Sequence, residues 1–156
     1  MLSLISSEDE SVNILIQAIQ INPNDAVAHF RIGLALSKDV EEYSKSNNDI
    51  DATYTADIAI DYYTQAIEID PNYSDSYYYR GLLREYLARY YYTGEVEDYL
   101  AGCCEISTYL EDFQLAIDDY AQCIKVDPNY ADAYTSMGKV LNAVKNFKDL
   151  TEKINL

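Results

Sequence analysis

Ala66-Ile67-Glu68-Ile69-Asp70-Pro71-Asn72 decides how this chain folds, because it returns as Ala18-Ile19-Gln20-Ile21-Asn22-Pro23-Asn24 and as Cys123-Ile124-Lys125-Val126-Asp127-Pro128-Asn129. Working outward from the three prolines, a ring stands six residues past each one (His29, Tyr77, Tyr134) and a glycine ten past it (Gly33, Gly81, Gly138). Twelve and eight residues before each proline come Ser11 and Leu15, Ala59 and Tyr63, Ala116 and Tyr120. Agreement at so many offsets is the mark of an internal repeat.

The local physics follows directly. Proline removes a backbone donor and cannot continue a helical ladder, so each Pro-Asn closes one helix and opens the turn into the next. Upstream, Ala59, Tyr63, Ala66 and Ile67 recur at helical spacing. Alanine and glycine let two helix backbones approach while an aromatic ring fills the space beside them. One such pair cannot bury its apolar face alone, so neighbouring pairs must stack.

Composition agrees with this reading. Hydrophobic residues are 49% of the 156, with only three prolines and five glycines, which favours long helices over a many-turned β protein. Eleven Lys and Arg against 27 Asp and Glu give a formal charge of -16. Such a surface repels phosphate backbones, which disfavours nucleic-acid binding, and anionic membranes likewise. The charge is uneven: residues 1–124 hold 23 acids and 6 bases, residues 125–156 hold 4 and 5. The start, Met1 to Ser7, does not read as a signal peptide, and no apolar run is long enough to span a bilayer. Cys103, Cys104 and Cys123 lack framework spacing and read as reduced cysteines in the cytoplasm.

The order aromatic-x-x-x-Gly, then Ala-x-x-x-aromatic-x-x-Ala, then Pro resembles the tetratricopeptide repeat. The resemblance implies an all-α, right-handed helical solenoid of about three helix pairs, in one domain over 1–156. Proline spacings of 48 and 57 against the family's 34 mark two enlarged repeats, by 14 and 23 residues. The domain then divides into a partial repeat at 8–23 without its leading helix, enlarged repeats at 24–71 and 72–128, and a final repeat with a cap at 129–156. Helices are expected at 8–22, 26–45, 52–69, 74–92, 107–126 and 131–144, with a short one at 146–156.

The first insertion lengthens both helices of its hairpin by about two turns, or roughly 10 Å. Val40, Tyr43 and Tyr54 would continue the seam, Asn47-Asn48-Asp49 the turn, and Asp51 or Thr53 the cap. Thr93-Gly94 reads as a break in the second insertion, with an added helix at 95–106.

Chemistry is sparse. The chain has no phosphate-binding glycine loop and no HExxH. His29 sits in the recurrent ring slot and reads as packing, Cys123 in a small-residue slot of the core. Cys103 and Cys104 lack companion ligands for a metal. Asp49 to Tyr54 fails as a calcium loop, since Tyr54 replaces the turn glycine. The expectation is a protein with no cofactor and no enzymatic activity.

The resemblance implies a groove, lined by the first helix of each pair, that holds a protein or peptide segment. Carried over by alignment, partner-binding residues are Phe30, Arg31, Leu34, Asp75, Tyr78, Tyr79, Leu82 and Tyr86, flanked by Val27, Asp132, Thr135 and Lys139. The carboxylate clamp of the family's chaperone-binding branch is missing: its places hold Phe30, Leu34, Tyr79, Asp132 and Ser136. Ten of 17 tyrosines lie between Tyr73 and Tyr109, and consecutive rings on a helix diverge by ~100°, so they cannot all face one core. The expected partner is an apolar or basic segment. The alternative is a homodimer assembled through the tyrosine-rich insertion.

Overall fold

The computed structural model describes residues 7–91 and 106–154. They form six helices: α1 Ser7–Ile21, α2 Ala26–Lys45, α3 Asp49–Ile69, α4 Ser74–Tyr91, α5 Ile106–Val126 and α6 Ala131–Ile154. No strand occurs among the described residues. The chain divides into two compact units, Met1–Tyr79 and Arg80–Leu156, the division falling within α4.

The three proline turns are built alike. In each, the helix's last backbone bond runs from the residue before proline to the carbonyl four back: Asn22 to Ala18, Asp70 to Ala66, Asp127 to Cys123. The side chain of that same Asn or Asp then accepts from the backbone N–H two residues on, at Asn24 (3.3 Å), Asn72 (3.0 Å) and Asn129 (3.0 Å). Short Asx side chains make this local turn, which is why Asn or Asp precedes every proline. The ring six past proline reaches back to it. His29 Nε2 donates to the Pro23 carbonyl at 3.0 Å and Tyr77 Oη to the Pro71 carbonyl at 3.3 Å. Tyr134, the third of these rings, is 51% exposed.

In the first unit, α2 and α3 form an antiparallel hairpin, with α1 packed on α2. Asp25 caps α2 by accepting from the Ala28 N–H at 3.0 Å. The hairpin closes at Asn47, whose φ of 55° is left-handed, a conformation asparagine tolerates. Both helices are lengthened, as the 14-residue excess predicts. Two details differ. Of the three residues expected along the seam, Val40 is buried but Tyr43 is 36% and Tyr54 68% exposed. Ala52, Thr55 and Ala56 fill the seam instead, because Tyr54 points about 100° away from Thr55. The helix α3 starts at Asp49, before either expected cap. Asn48 stands at its N-cap and donates from Nδ2 to Asp51 Oδ2 at 2.6 Å.

The close approach of the two helices is set at Gly33. A Cβ there would lie 2.8 Å from Cε1 of the Tyr63 ring. The Tyr63 hydroxyl continues to Ser37, one turn beyond the glycine, at 2.8 Å, and Ser37 Oγ donates to the Gly33 carbonyl at 2.9 Å. The second unit repeats the arrangement: a Cβ at Gly81 would lie 2.8 Å from Tyr120 Cε1, and Tyr120 Oη donates to Glu85 at 2.8 Å. Ala59, Tyr63 and Ala66 are buried in α3, and Ala116, Tyr120 and Cys123 in α5.

The last segment departs from expectation. Residues 131–154 are one helix rather than two, packed on α5. No proline or glycine falls near 145 to interrupt the ladder. Gly138, on the same helix, has nothing among the described residues within 4 Å of where its Cβ would be. The helix expected at 95–106 and the break at Thr93-Gly94 lie outside the described residues, as do Cys103 and Cys104.

These contacts predict that Gly33→Ala and Gly81→Ala each cost about 1–3 kcal/mol by forcing a tyrosine off its seat. Gly138→Ala should instead gain about 0.5–1 kcal/mol from helix propensity; urea unfolding of the three variants separates the cases. Burial raises the Tyr63 phenol well above its usual value, the Ser37 hydrogen bond offsetting part of the rise and Tyr79 adding to it. A raised folded-state value means that stability is whole below about pH 10 and falls as the pH climbs above it. The urea midpoint of the wild type should drop above about pH 10, and less so in Tyr63→Phe.

Candidate functional site

In the first unit an aromatic cluster joins α2, α3 and the start of α4. Phe30, only 8% exposed, lies 4.8 Å from the ring centroid of Tyr73 and 5.7 Å from those of Tyr63 and Tyr79. Tyr79 stacks on Tyr63 at 6.0 Å, and Tyr78 meets Tyr79 edge-on at 5.4 Å. Offset and edge-to-face pairs of this kind add about 0.5–1.5 kcal/mol each beyond area burial. Phe30 is the hub, meeting the rings of Tyr63, Tyr73 and Tyr79. The Tyr73 phenol is pushed up by burial and then by Asp75, while Arg31 pulls the other way. Of the expected partner-binding residues, Tyr79 meets Phe30 directly and Tyr78 meets Tyr79, while Phe30, Asp75 and Arg31 adjoin Tyr73, a tyrosine absent from that set. A signal for it exists: tyrosine stands two past the proline at Tyr73 and again at Tyr130.

The expected residues do not all share one surface. Phe30 is core to the cluster, whereas Tyr78 and Tyr79 are half-buried and Arg31 exposed. Leu34 lies elsewhere, in an open groove of about 390 Å³ between α1 and α2. That groove is lined by Ser11, Ile14, Leu15, Arg31, Leu34, Ala35 and Lys38. Arg31 borders both features. Val27 is exposed on the first turn of α2.

In the second unit Leu82 and Tyr86 are half-buried on α4. The Tyr86 ring stacks on Tyr90 at 6.4 Å, and its buried hydroxyl finds no hydrogen-bond partner among the described residues. Asp132, Thr135 and Lys139 are exposed on α6. Sequence reasoning missed the strongest polar feature here. Asp119, 2% exposed on α5, accepts from Arg80 through Nε (3.2 and 3.0 Å) and Nη2 (2.7 Å), and from Arg84 Nη1 (2.8 Å). Burial lowers the Arg84 guanidinium from its usual value; Asp119 counters this, and Arg80 adds to the lowering. Glu85, which receives the Tyr120 hydroxyl, also receives Arg89 at 3.0 and 2.8 Å, and Arg89 sits over the Phe113 ring at 5.7 Å. Asp119 sits on the inner side of α5 next to exposed Asp118. Two adjacent acids on a helix carry no sign of which turns inward, so the triad was not legible.

His29 and Cys123 are buried, as their slots predict. Asp57 and Asp61 are exposed on α3, where burial and then Asp61 raise the Asp57 carboxyl. Among the described residues no group of three or more His, Cys, Asp or Glu is placed to hold a metal ion. No helix among them is long and apolar enough to cross a membrane.

A family model described as tetratricopeptide repeat matches residues 62–93, and a second of the same description matches 105–130. No curated protein matches the chain. Among solved structures, the crystal structure of MamA is similar at 18% identity, covering 97% of this chain and 96% of that one, with a TM-score of 0.41.

Asp119→Ala should cost about 3–5 kcal/mol, because it leaves two half-buried guanidiniums without their carboxylate. Urea unfolding gives the magnitude. Faster amide hydrogen exchange along α5, with little change in α2 and α3, would locate the loss.

Proposed function

We propose, from the premise that this chain is a tetratricopeptide repeat protein, that it grips an apolar segment flanked by basic residues on a partner protein. Repeats of this class are protein–protein interaction modules, and this one would serve as an adaptor or scaffold without catalysis, acting in the cytoplasm. The observation that carries it is the aromatic cluster around Phe30. The half-buried Tyr79 rests on Phe30 and Tyr63, and the half-buried Tyr78 meets Tyr79 edge-on. Rings held by their neighbours lose little freedom on binding, which is what makes tyrosine a good interface anchor. Asp75 beside Tyr73 and the acidic chain as a whole favour a cationic flank. Arg31 and Leu34 on α2, with Leu82 and Tyr86 further along α4, are proposed as additional contacts.

The test is a titration of the isotope-labelled chain with synthetic peptides carrying a Leu/Phe core between lysines, set against the same cores between glutamates. Lysine-flanked peptides should shift the resonances of Arg31, Asp75, Tyr78 and Tyr79 saturably, and Tyr78→Ala should weaken them about tenfold or more. Equal binding of the glutamate-flanked set, or full affinity in Tyr78→Ala, would sink this reading.

A further inference from the structure

We infer that the outward face of α3 is a second interaction surface, one that takes a basic amphipathic helix of a partner protein. The surface is a ridge. Ile50, Tyr54, Ile58 and Tyr62 follow one another every fourth residue of α3, and such a row is what packs into the groove of another helix. Ile50 is 80% and Tyr54 68% exposed, while Ile58 and Tyr62 are half-buried. Branched and aromatic side chains lose rotamer freedom in a helix, so an open face gains nothing from them on its own account.

Acids run along one flank of the ridge. Asp57, Asp61 and Glu68 are exposed and fall within about 40° of one another round the helix. None of the three is in a salt bridge among the described residues. Between Lys45 and Arg80 the chain has seven acids and no base. Asp57 and Asp61 stand one turn apart, the spacing at which like charges oppose a helix. Burial and then Asp61 raise the Asp57 carboxyl.

The matching helix of the second unit has neither feature, which makes them particular to α3 rather than common to the repeat. Counted from proline, α5 carries Glu111, Leu115 and Asp119 where α3 has Tyr54, Ile58 and Tyr62, so acids interrupt the ridge. Gln114 replaces Asp57 and donates to Asp118, the counterpart of Asp61, at 2.8 Å. Lys125 replaces Glu68. The face of α5 settles its own charges, and that of α3 leaves them to a partner.

Charge decides the occupant. A second copy laid on this face through its own α3 would set acid against acid. A cationic helix instead meets the acids while its apolar side chains close over the ridge, which is roughly 18 Å long. The ridge lies roughly 160° round the helix from Tyr63, so this surface is separate from the aromatic cluster. With both surfaces, one copy bridges two segments.

The test uses the isotope-labelled full chain and a synthetic helical peptide with leucines every fourth residue and lysines along one flank. One control carries glutamates for the lysines; the other is a shuffled peptide of equal composition without the apolar row. The lysine peptide should shift Ile50, Tyr54, Asp57 and Asp61 saturably, and neither control should. Tyr54→Ser and Asp61→Lys should each weaken it about tenfold. Asp61→Lys also turns a repulsion into a one-turn attraction to Asp57, so its melting temperature should not fall and its weaker binding is no folding defect. Tyr78→Ala should leave the α3 shifts unchanged, whatever becomes of the other surface. Equal binding of either control overturns the inference, as does full affinity in Asp61→Lys or a peptide that shifts only Tyr78 and Tyr79. Self-association of the wild type that Asp61→Lys abolishes also overturns it, since a second copy is then the occupant.

Discussion

A tyrosine ring lying over a glycine is the constraint on which each helix pair depends. At Gly33 and at Gly81 the ring comes so near the backbone that a single methyl group would collide with it. Removing the side chain from one helix lets the other carry a large one, and the pair gains the burial of a whole aromatic ring at close range. The hydroxyl at the ring's tip would be costly to bury alone. It is given a partner one turn along the same helix as the glycine, Ser37 in one unit and Glu85 in the other. Glycine, tyrosine and the polar residue after them form one device that sets helix spacing and sliding register together.

The two units use the device in different electrical settings. Around Gly33 the neighbours are rings: Phe30 and Tyr79 crowd against Tyr63, with Tyr73 behind Phe30. Around Gly81 they are charges, with Arg80 and Arg84 on Asp119 and Arg89 on Glu85. A buried carboxylate holding two guanidiniums contributes specificity more than stability, because desolvation consumes most of the attraction. The aromatic version leaves ring edges part-exposed, and the ionic version ties its side chains to one another. That contrast favours the aromatic unit as the candidate partner surface.

Much of the local fold was legible because it depends on short-range chemistry. Proline, with Asn or Asp before it, ends a helix and folds the turn whatever surrounds it, and helix ends near those turns came within a residue or two. What escaped were features that depend on which way a side chain turns. Tyr43 and Tyr54 were expected in the seam, yet small residues fill it, since a hairpin drawn close by Gly33 has room for little more. Residues 145 and 146 contain nothing that stops a helix, and α6 runs through them. The candidate site was legible only as a set of positions, for the same reason. Alignment put Arg31, Leu34, Asp75, Tyr78 and Tyr79 together, whereas packing sets Tyr78 and Tyr79 by Phe30 and Leu34 in the groove that Arg31 also lines.

From its residues alone this chain determined its class and the places where helices stop at the proline turns, because those follow from proline and a period of 3.6 acting over a few residues. Tertiary structure alone decided that Phe30 is the centre of the aromatic cluster, that Asp119 and not Asp118 receives the two arginines, and that Tyr63 and Tyr120 are the rings that cover Gly33 and Gly81. Each of these is a contact between residues far apart along the chain or on separate helices. Sequence spacing says that such residues can be buried; only packing says against what.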